Sequence, residues 1–177
     1  GTTGRGNSAL AYGETRQRND GKQARPVDGH GTSPLDESIG FLMGITYRKL
    51  VQLFAQRLKP YDITPEQWAV LVRIAEREGM IQKDIADRSG KDRPTVTRIL
   101  DALESKSLIV RRICGSDRRS YRIFATEQGK ALTAATIPIE REALTDAMEG
   151  FSDAEANELK SQLRRIAATI DRFIGKT

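Results

Sequence analysis

Residues 81–106, IQKDIADRSGKDRPTVTRILDALESK, decide the fold of this chain. Three apolar residues on one helical face predict a first short helix: Ile81, Ile85 and Ala86. A tight turn follows at Ser89-Gly90-Lys91, and Asp92 can cap a second helix. In that helix apolar residues recur at i, i+3, i+4 and i+7: Val96, Ile99, Leu100 and Leu103. The spacing predicts a helix-turn-helix whose second helix buries one narrow stripe.

The opposite face of the second helix carries short polar side chains between arginines: Arg93, Thr95, Thr97, Arg98 and Asp101. Such a face lets a helix lie close to base edges and phosphates in a major groove of DNA. The alternative is an ordinary helix hairpin with a solvated polar face.

The residues that follow predict a β-hairpin. The residues of the two strands fall on alternating faces, Leu108, Val110 and Arg112 against Ile109, Arg111 and Ile113, then Tyr121 and Ile123 against Arg122 and Phe124. Gly115-Ser116-Asp117 forms the turn between them. Its tip and flanks are rich in arginine: Arg111, Arg112, Arg118, Arg119 and Arg122. A basic hairpin directly behind a helix-turn-helix is typical of a wing, from which one arginine enters the minor groove. Asp117 would then orient a neighbouring arginine.

Charge is concentrated in the same part of the chain. The 177 residues carry a formal net charge of +5. Residues 81–125 hold 11 basic and 6 acidic side chains, a surplus equal to that of the whole chain. This segment is therefore the predicted site for a polyanion.

Helical patterns flank the helix-turn-helix on both sides. Ser33 and Pro34 predict the start of a long first helix that ends near Pro60, and Thr64 with Gln67 predicts a capping box for the next helix. Thr126 caps a later helix, which Pro138 is expected to kink or interrupt.

The last helix, capped by Ser152 with Glu155, has an apolar seam spaced by 4, 3, 4 and 3: Leu159, Leu163, Ile166, Ile170 and Phe173. The seam predicts a homodimer, the alternative being that it packs inside its own monomer.

Residues 1–33 are rich in glycine and polar side chains, and we expect a disordered arm. It is either a leader or expression remnant with no role, or a basic arm that touches nucleic acid. The single histidine, His30, lies here, so histidine-based catalysis or metal binding lacks partners.

Several classes of protein are disfavoured. No stretch approaches the roughly 20 apolar residues that cross a bilayer, and no secretory signal begins the chain. We find no paired carboxylates, no Cys/His cluster and no phosphate-binding glycine loop, so the sequence predicts no enzyme, cofactor or metal. One cysteine, Cys114, cannot staple the fold and is not assigned as a redox switch, which favours a reduced cytoplasmic setting.

The order of these motifs resembles the MarR family of transcriptional regulators. The resemblance is carried by residues 63–68 (ITPEQW), 94–104 (PTVTRILDALE), 117–120 (DRRS) and the flanking runs 82–86, 108–111 and 126–129. It covers about residues 35–175 and departs where Lys106-Ser107-Leu108 replaces the usual glycine before the wing. The fold class it implies is mostly α with a small β-wing, a winged helix-turn-helix with N- and C-terminal dimerisation helices.

The resemblance also implies a domain plan and sites. Residues 34–175 would form the MarR-like domain, with the DNA-binding lobe at 61–125 and dimerisation helices at 34–60 and 126–175. Candidate DNA-binding residues are Lys91, Arg93, Thr95, Thr97, Arg98, Arg112, Asp117, Arg118, Arg119 and Ser120. An effector pocket would be lined by Tyr47, Phe54, Trp68 and Val72, and the dimer interface would use Leu35, Ile39 and Leu42 with the seam of the last helix.

The predicted function is a dimeric, sequence-specific regulator of transcription. It would bind pseudo-palindromic operators in double-stranded DNA as a repressor or an activator, a repressor being favoured, and release them on binding a small phenolic ligand. The alternative is a winged-helix module that binds another protein without specific DNA binding.

Overall fold

The computed structural model describes residues 33–113, 115 and 121–175. Within these ranges six helices and one two-stranded sheet follow in chain order: α1 (Ile39–Leu58), α2 (Pro65–Glu76), α3 (Gln82–Ser89), α4 (Arg93–Ser105), β1 (Ile109–Ile113), β2 (Tyr121–Ala125), α5 (Glu127–Ala147) and α6 (Asp153–Phe173). The predicted fold class, mostly helical with a small winged sheet, is confirmed.

Two predicted capping boxes start helices as expected. The Thr64 hydroxyl accepts from the backbone N–H of Gln67, whose side chain accepts from the Thr64 backbone. Ser152 and Glu155 make the same reciprocal pair at the start of α6. Each box satisfies two N–H groups that the first helical turn otherwise leaves without a partner.

The first long helix begins later than predicted. Ser33 caps only a short 3-10 turn, Pro34–Glu37, and α1 starts at Ile39. The reason is a second cap, because Ser38 is extended and its hydroxyl accepts from the backbone N–H of Phe41 at 3.2 Å. The chain at the start of the predicted 34–60 dimerisation segment therefore turns before it becomes helical.

Pro138 does not interrupt α5, contrary to one of the two outcomes predicted for it. The helix runs through it from Glu127 to Ala147. A proline removes one helical hydrogen bond. Packing holds the helix on both sides of it, since Thr133, Thr136 and Ala143 are buried against the body of the protein.

One continuous core joins the helix-turn-helix to α1 and α5. Leu58 of α1, Leu71 of α2, Ile85 of α3 and Leu100 of α4 are fully buried together with Ile109 and Ile123 of the sheet. Phe54 and Ala143 extend the cluster into the long helices. The predicted DNA-binding lobe and the predicted dimerisation helices thus share one core. The boundary between them stays a prediction.

The start of α5 is fixed by two hydrogen bonds to the segment that joins α4 to β1. The Thr126 hydroxyl donates to the carbonyl of Ser107 at 2.7 Å, and the Thr126 N–H donates to the carbonyl of Leu108. A Cβ at Gly129 would lie 2.1 Å from that Leu108 oxygen, so only glycine fits there. Nearby, Lys130 and Glu78 form an ion pair at 3.0 Å, and this hydrogen bond raises the pKa of Lys130.

The described helices contain no segment that combines the length and apolar character needed to span a membrane. Among the same residues no group of three or more histidine, cysteine or carboxylate side chains is arranged to hold a metal ion.

Candidate nucleic-acid interface

Helix α4 forms where its sequence predicts. The Asp92 carboxylate accepts from the backbone N–H of Thr95 at 2.8 Å, and that hydrogen bond lowers the pKa of Asp92. The predicted apolar stripe is 0–1% exposed at Val96, Ile99, Leu100 and Leu103. Burial of four aliphatic side chains on one side fixes which side of α4 faces solvent.

The turn before α4 depends on Gly90. This residue is left-handed, with φ of 62°, and its N–H reaches the carbonyls at the end of α3. A glycine adopts this conformation without the steric penalty of a Cβ. The turn places half-buried Lys91 and exposed Arg93 together at the start of α4.

The exposed face of α4 holds the candidate DNA-binding residues that were predicted for this helix. Arg93, Thr97 and Arg98 are exposed and Thr95 is half-buried. The guanidinium of Arg98 lies 3.4 Å from the carboxylate of Glu66 on α2. Both side chains are more than half exposed, so solvent screens this pair and it is weak.

Sequence reasoning missed Gln82 as a member of this face. Gln82 is the first residue of α3, and its amide donates to the hydroxyl of Thr97. The Thr97 hydroxyl in turn donates to the carbonyl of Arg93 at 3.0 Å. No local spacing signals a contact between residues 15 positions apart on two helices; only the packing of α3 against α4 creates it.

The wing is present as the predicted antiparallel pair, from Ile109 opposite Ala125 to Ile113 opposite Tyr121. The strict alternation expected of β1 is wrong at its end, because Ile113 is 52% exposed. There the hairpin extends beyond the helices and has no core beneath it. Cys114 and four predicted contact residues lie outside the described residues: Asp117, Arg118, Arg119 and Ser120.

Arg111 occupies a different place from the one predicted. It does not belong to a basic tip, since its guanidinium pairs with Asp101 at 2.6 Å and Glu104 at 3.3 Å on α4. It therefore links the wing to α4. Arg112, by contrast, is exposed and lies over the ring of Phe124, 5.1 Å from its centroid.

A cleft of about 250 Å³ separates α4 from the wing. Its walls include three cations and two further polar side chains: Lys83, Arg93, Arg111, Gln82 and Tyr121. Lys83 and Tyr121 were not among the predicted contacts. The charge of Arg111 is balanced by Asp101 and Glu104, but Lys83 and Arg93 suit this cleft to an anionic group such as a phosphate.

Three of the four predicted effector-pocket residues line one cavity of about 170 Å³. Phe54 and Trp68 meet edge to face at 4.9 Å, and the indole N–H of Trp68 donates to buried Thr136. Tyr47 lines the outer wall. Val72 does not line this cavity, because the cavity lies at the first turn of α2 and Val72 is one turn further along.

The predicted dimer residues are largely exposed. Leu35, Ile39 and Leu42 are exposed, and the seam of α6 is 40–86% exposed at Leu159, Leu163, Ile170 and Phe173, with Ile166 partly covered. Helix α6 has no buried residue. A group of exposed apolar side chains such as this is typical of an interaction site.

The helix-turn-helix of α3 and α4, followed by a two-stranded wing, defines a winged helix-turn-helix protein. Residues 63–121 match the family model of the MarR family. The resemblance is thereby confirmed over residues 63–121, which match the MarR family of transcriptional regulators.

Solved structures of the same type superpose on most of the chain. The transcriptional regulator SlyA is 29% identical with a TM-score of 0.70, covering 76% of this chain and 94% of its own. A MarR-family regulator from Listeria monocytogenes complexed with 26mer DNA is 28% identical, with a TM-score of 0.69, over 76% and 89%. CouR from Rhodococcus jostii RHA1, bound to p-coumaroyl-CoA, is 28% identical, with a TM-score of 0.67, over 77% and 96%.

Proposed function

We propose that this chain is a homodimer that binds a pseudo-palindromic operator in double-stranded DNA and represses transcription. One observation carries the proposal: the apolar side of α4 is fully buried while Arg93, Thr97 and Arg98 stand exposed beside a basic cleft and wing. This is the arrangement with which a recognition helix enters a major groove. The similar Listeria protein has been solved in complex with DNA.

Within this proposal the cations and hydroxyls have separate tasks. Lys91 and Arg93, at the start of α4, would contact phosphates and fix the register of the helix. Thr95, Thr97 and Arg98 would meet base edges. Arg112 and the predicted tip residues 117–120 would follow the backbone and minor groove beside it.

The dimer is proposed from the exposed apolar residues near both ends of the described chain. A second copy related by a two-fold axis would cover the start of α1 and the seam of α6 with the same surface of its partner. The two recognition helices would then address major grooves about 34 Å apart, which explains a pseudo-palindromic operator.

A small phenolic effector is proposed for the aromatic cavity. Phe54, Trp68 and Tyr47 supply apolar walls, and CouR, of similar fold, is bound to p-coumaroyl-CoA. A ligand would release DNA only by binding better to a dimer whose recognition helices are wrongly spaced. Release of a labelled operator by p-coumarate, lost in Trp68→Ala, is the expected result; equal release from both proteins would contradict it.

The proposal also includes a division of the chain into segments and a location in the cell. Residues 61–125 act as the DNA-binding lobe, with 34–60 and 126–175 as dimerisation segments. A regulator that binds chromosomal DNA works where that DNA is, and we propose the cytoplasm.

The DNA-binding proposal is tested by selecting bound duplexes from a random pool and titrating the winner across a salt series. An inverted repeat with a negative salt slope is expected, since each phosphate contact adds about 0.9 to the slope. Arg93→Ala should flatten the slope, while Arg141→Ala, which removes the same charge from an exposed site on α5, should not. No enriched sequence would contradict specific binding and favour the protein-interaction module.

The dimer is tested separately by sedimentation equilibrium. Leu163→Asp places a charge in the exposed seam of α6 and is expected to yield monomers with unchanged helix content. Ala168→Asp adds the same charge on the opposite side of α6 and should remain dimeric. Two dimers of equal strength would contradict the assignment of the seam.

A further inference from the structure

The hydroxyl of Thr97 has a fixed hydrogen-bonding role in this structure. It donates to the carbonyl of Arg93 one turn earlier, at 3.0 Å, and accepts from the side-chain amide of Gln82. A threonine hydroxyl has one proton and two lone pairs. With its proton committed to a backbone carbonyl and one lone pair engaged, Thr97 can only accept a further hydrogen bond.

The orientation of the Gln82 amide follows from its partners. The carbonyl of Arg93 only accepts, and the Thr97 hydroxyl has already used its proton, so the NH₂ end of Gln82 must face both. The amide nitrogen lies 3.5 Å from the Arg93 carbonyl oxygen. Its oxygen is therefore the end that is directed away from α4.

These side chains border an open depression on the exposed face of α4. Gln82, Arg93, Pro94 and Thr97 line it together. Arg93 supplies the cation, whereas the two uncharged side chains offer oxygen acceptors. A guanidinium and an acceptor pair at one surface would address different chemical groups of DNA.

Resting on the proposed DNA binding, we propose that Gln82 and Thr97 form an acceptor pair that selects a base carrying an exocyclic amine. In the major groove adenine presents its N6 amine and cytosine its N4 amine. The oxygen acceptors of guanine and thymine would instead meet oxygen acceptors of the protein and be disfavoured. Gln82 supplies one acceptor through its amide oxygen and donates to one lone pair of Thr97, whose proton is held by the Arg93 carbonyl.

Two variants that remove the pair in different ways test the proposal. Gln82→Leu removes the amide and keeps similar bulk, and Thr97→Val replaces the hydroxyl with a methyl group. Gln56→Leu, at an exposed site on α1, is the matched control. Each protein selects duplexes from the same random pool, and base preference is measured by competition at every position.

The wild type is expected to prefer adenine or cytosine about tenfold at one symmetric pair of positions. Both variants should lose that preference there and keep it elsewhere, and Thr97→Ser should retain it. Replacing the preferred base by its analogue without the exocyclic amine should weaken wild-type binding about tenfold and Thr97→Val binding less than twofold.

The outcomes separate the two proposals. If the wild type enriches no sequence, the proposed DNA-binding function fails. If the wild type enriches an operator but both variants keep every base preference, or the amine-free base costs both proteins equally, the acceptor pair is overturned while specific DNA binding stands.

Discussion

Helices α4 and α6 have the same kind of apolar pattern, but the apolar face of α4 is buried and that of α6 is exposed. Both have apolar residues spaced by three and four positions. The stripe of α4 is at most 1% exposed, whereas four of the five seam residues of α6 are at least 40% exposed. The difference teaches that periodicity predicts a helix and its apolar face but does not say what covers that face. For α4 the cover comes from α2, α3 and β1 of the same chain; for α6 we propose a second copy.

The largest expected loss of stability comes from shortening a side chain in the buried stripe of α4. Leu100→Ala removes a fully buried side chain and should lower the free energy of unfolding by about 2–5 kcal/mol. Urea denaturation measures the loss, which should be the same at every protein concentration because the contacts lie within one chain.

Leu159→Ala in the seam of α6 provides the counterpart. If a second copy covers the seam, its destabilisation should shrink as the protein is diluted below the dimer dissociation constant. A loss that is independent of concentration would show that α6 packs on its own chain, and would break the comparison.

A second prediction concerns the contact between the start of α5 and the segment that joins α4 to β1. Gly129→Ala would force a Cβ against the Leu108 carbonyl, and we expect a loss of about 1–3 kcal/mol in thermal or urea unfolding. Ala131→Ser adds one heavy atom at an exposed position two residues along and should change stability little. Equal stability of the two variants would mean that α5 is not fixed where the structure has it.

At the turn between α4 and the wing, a substitution is expected to raise the free energy of unfolding by a smaller amount. Ser107 is left-handed, with φ of 60°, a conformation that favours glycine. Ser107→Gly relieves that conformation and should stabilise the protein by about 0.5–1 kcal/mol after the entropy of glycine is subtracted. Ser161→Gly, in the exposed interior of α6, should instead destabilise it. Loss of stability in both variants would contradict the backbone argument.

The smallest effect is a pH dependence at the cap of α4. Hydrogen bonding to Thr95 lowers the pKa of Asp92 in the folded protein. The stabilisation contributed by the Asp92 carboxylate is therefore complete at pH values above its unfolded pKa of about 3.9. It is lost as the pH falls through its lower pKa in the folded protein. The stability difference between wild type and Asp92→Asn should shrink below about pH 4. Asp84→Asn, which removes the same charge from an exposed site on α3, is the control; an identical pH profile for both would contradict the cap.

The sequence predicted what is local and missed what is tertiary. The caps at Thr64, Asp92 and Ser152 depend on neighbours within three residues, so they could be recognised in the sequence. Ser38 was missed because a second cap lies five residues after the first. Pro138 was overestimated as a helix breaker because burial of α5 compensates for its lost hydrogen bond.

Within the candidate site the same division holds. The exposed face of α4 follows from its period, whereas the three aromatic residues of the cavity were expected from the resemblance to the MarR family. The contact of Gln82 with Thr97 and the pairing of Arg111 with Asp101 join different elements, so no spacing encodes them. What covers the seam of α6 is likewise not encoded in its spacing.

The most direct test of a two-fold dimer on DNA is the spacing of its two half-sites. After selection of an operator, five base pairs are inserted between the half-sites, and the binding of wild type and Leu163→Asp is titrated. The wild type should lose most of its affinity, because the insertion rotates one half-site by half a helical turn, while the monomeric variant should bind both duplexes equally weakly. Undiminished wild-type affinity for the lengthened duplex would contradict a two-fold dimer bound to paired half-sites.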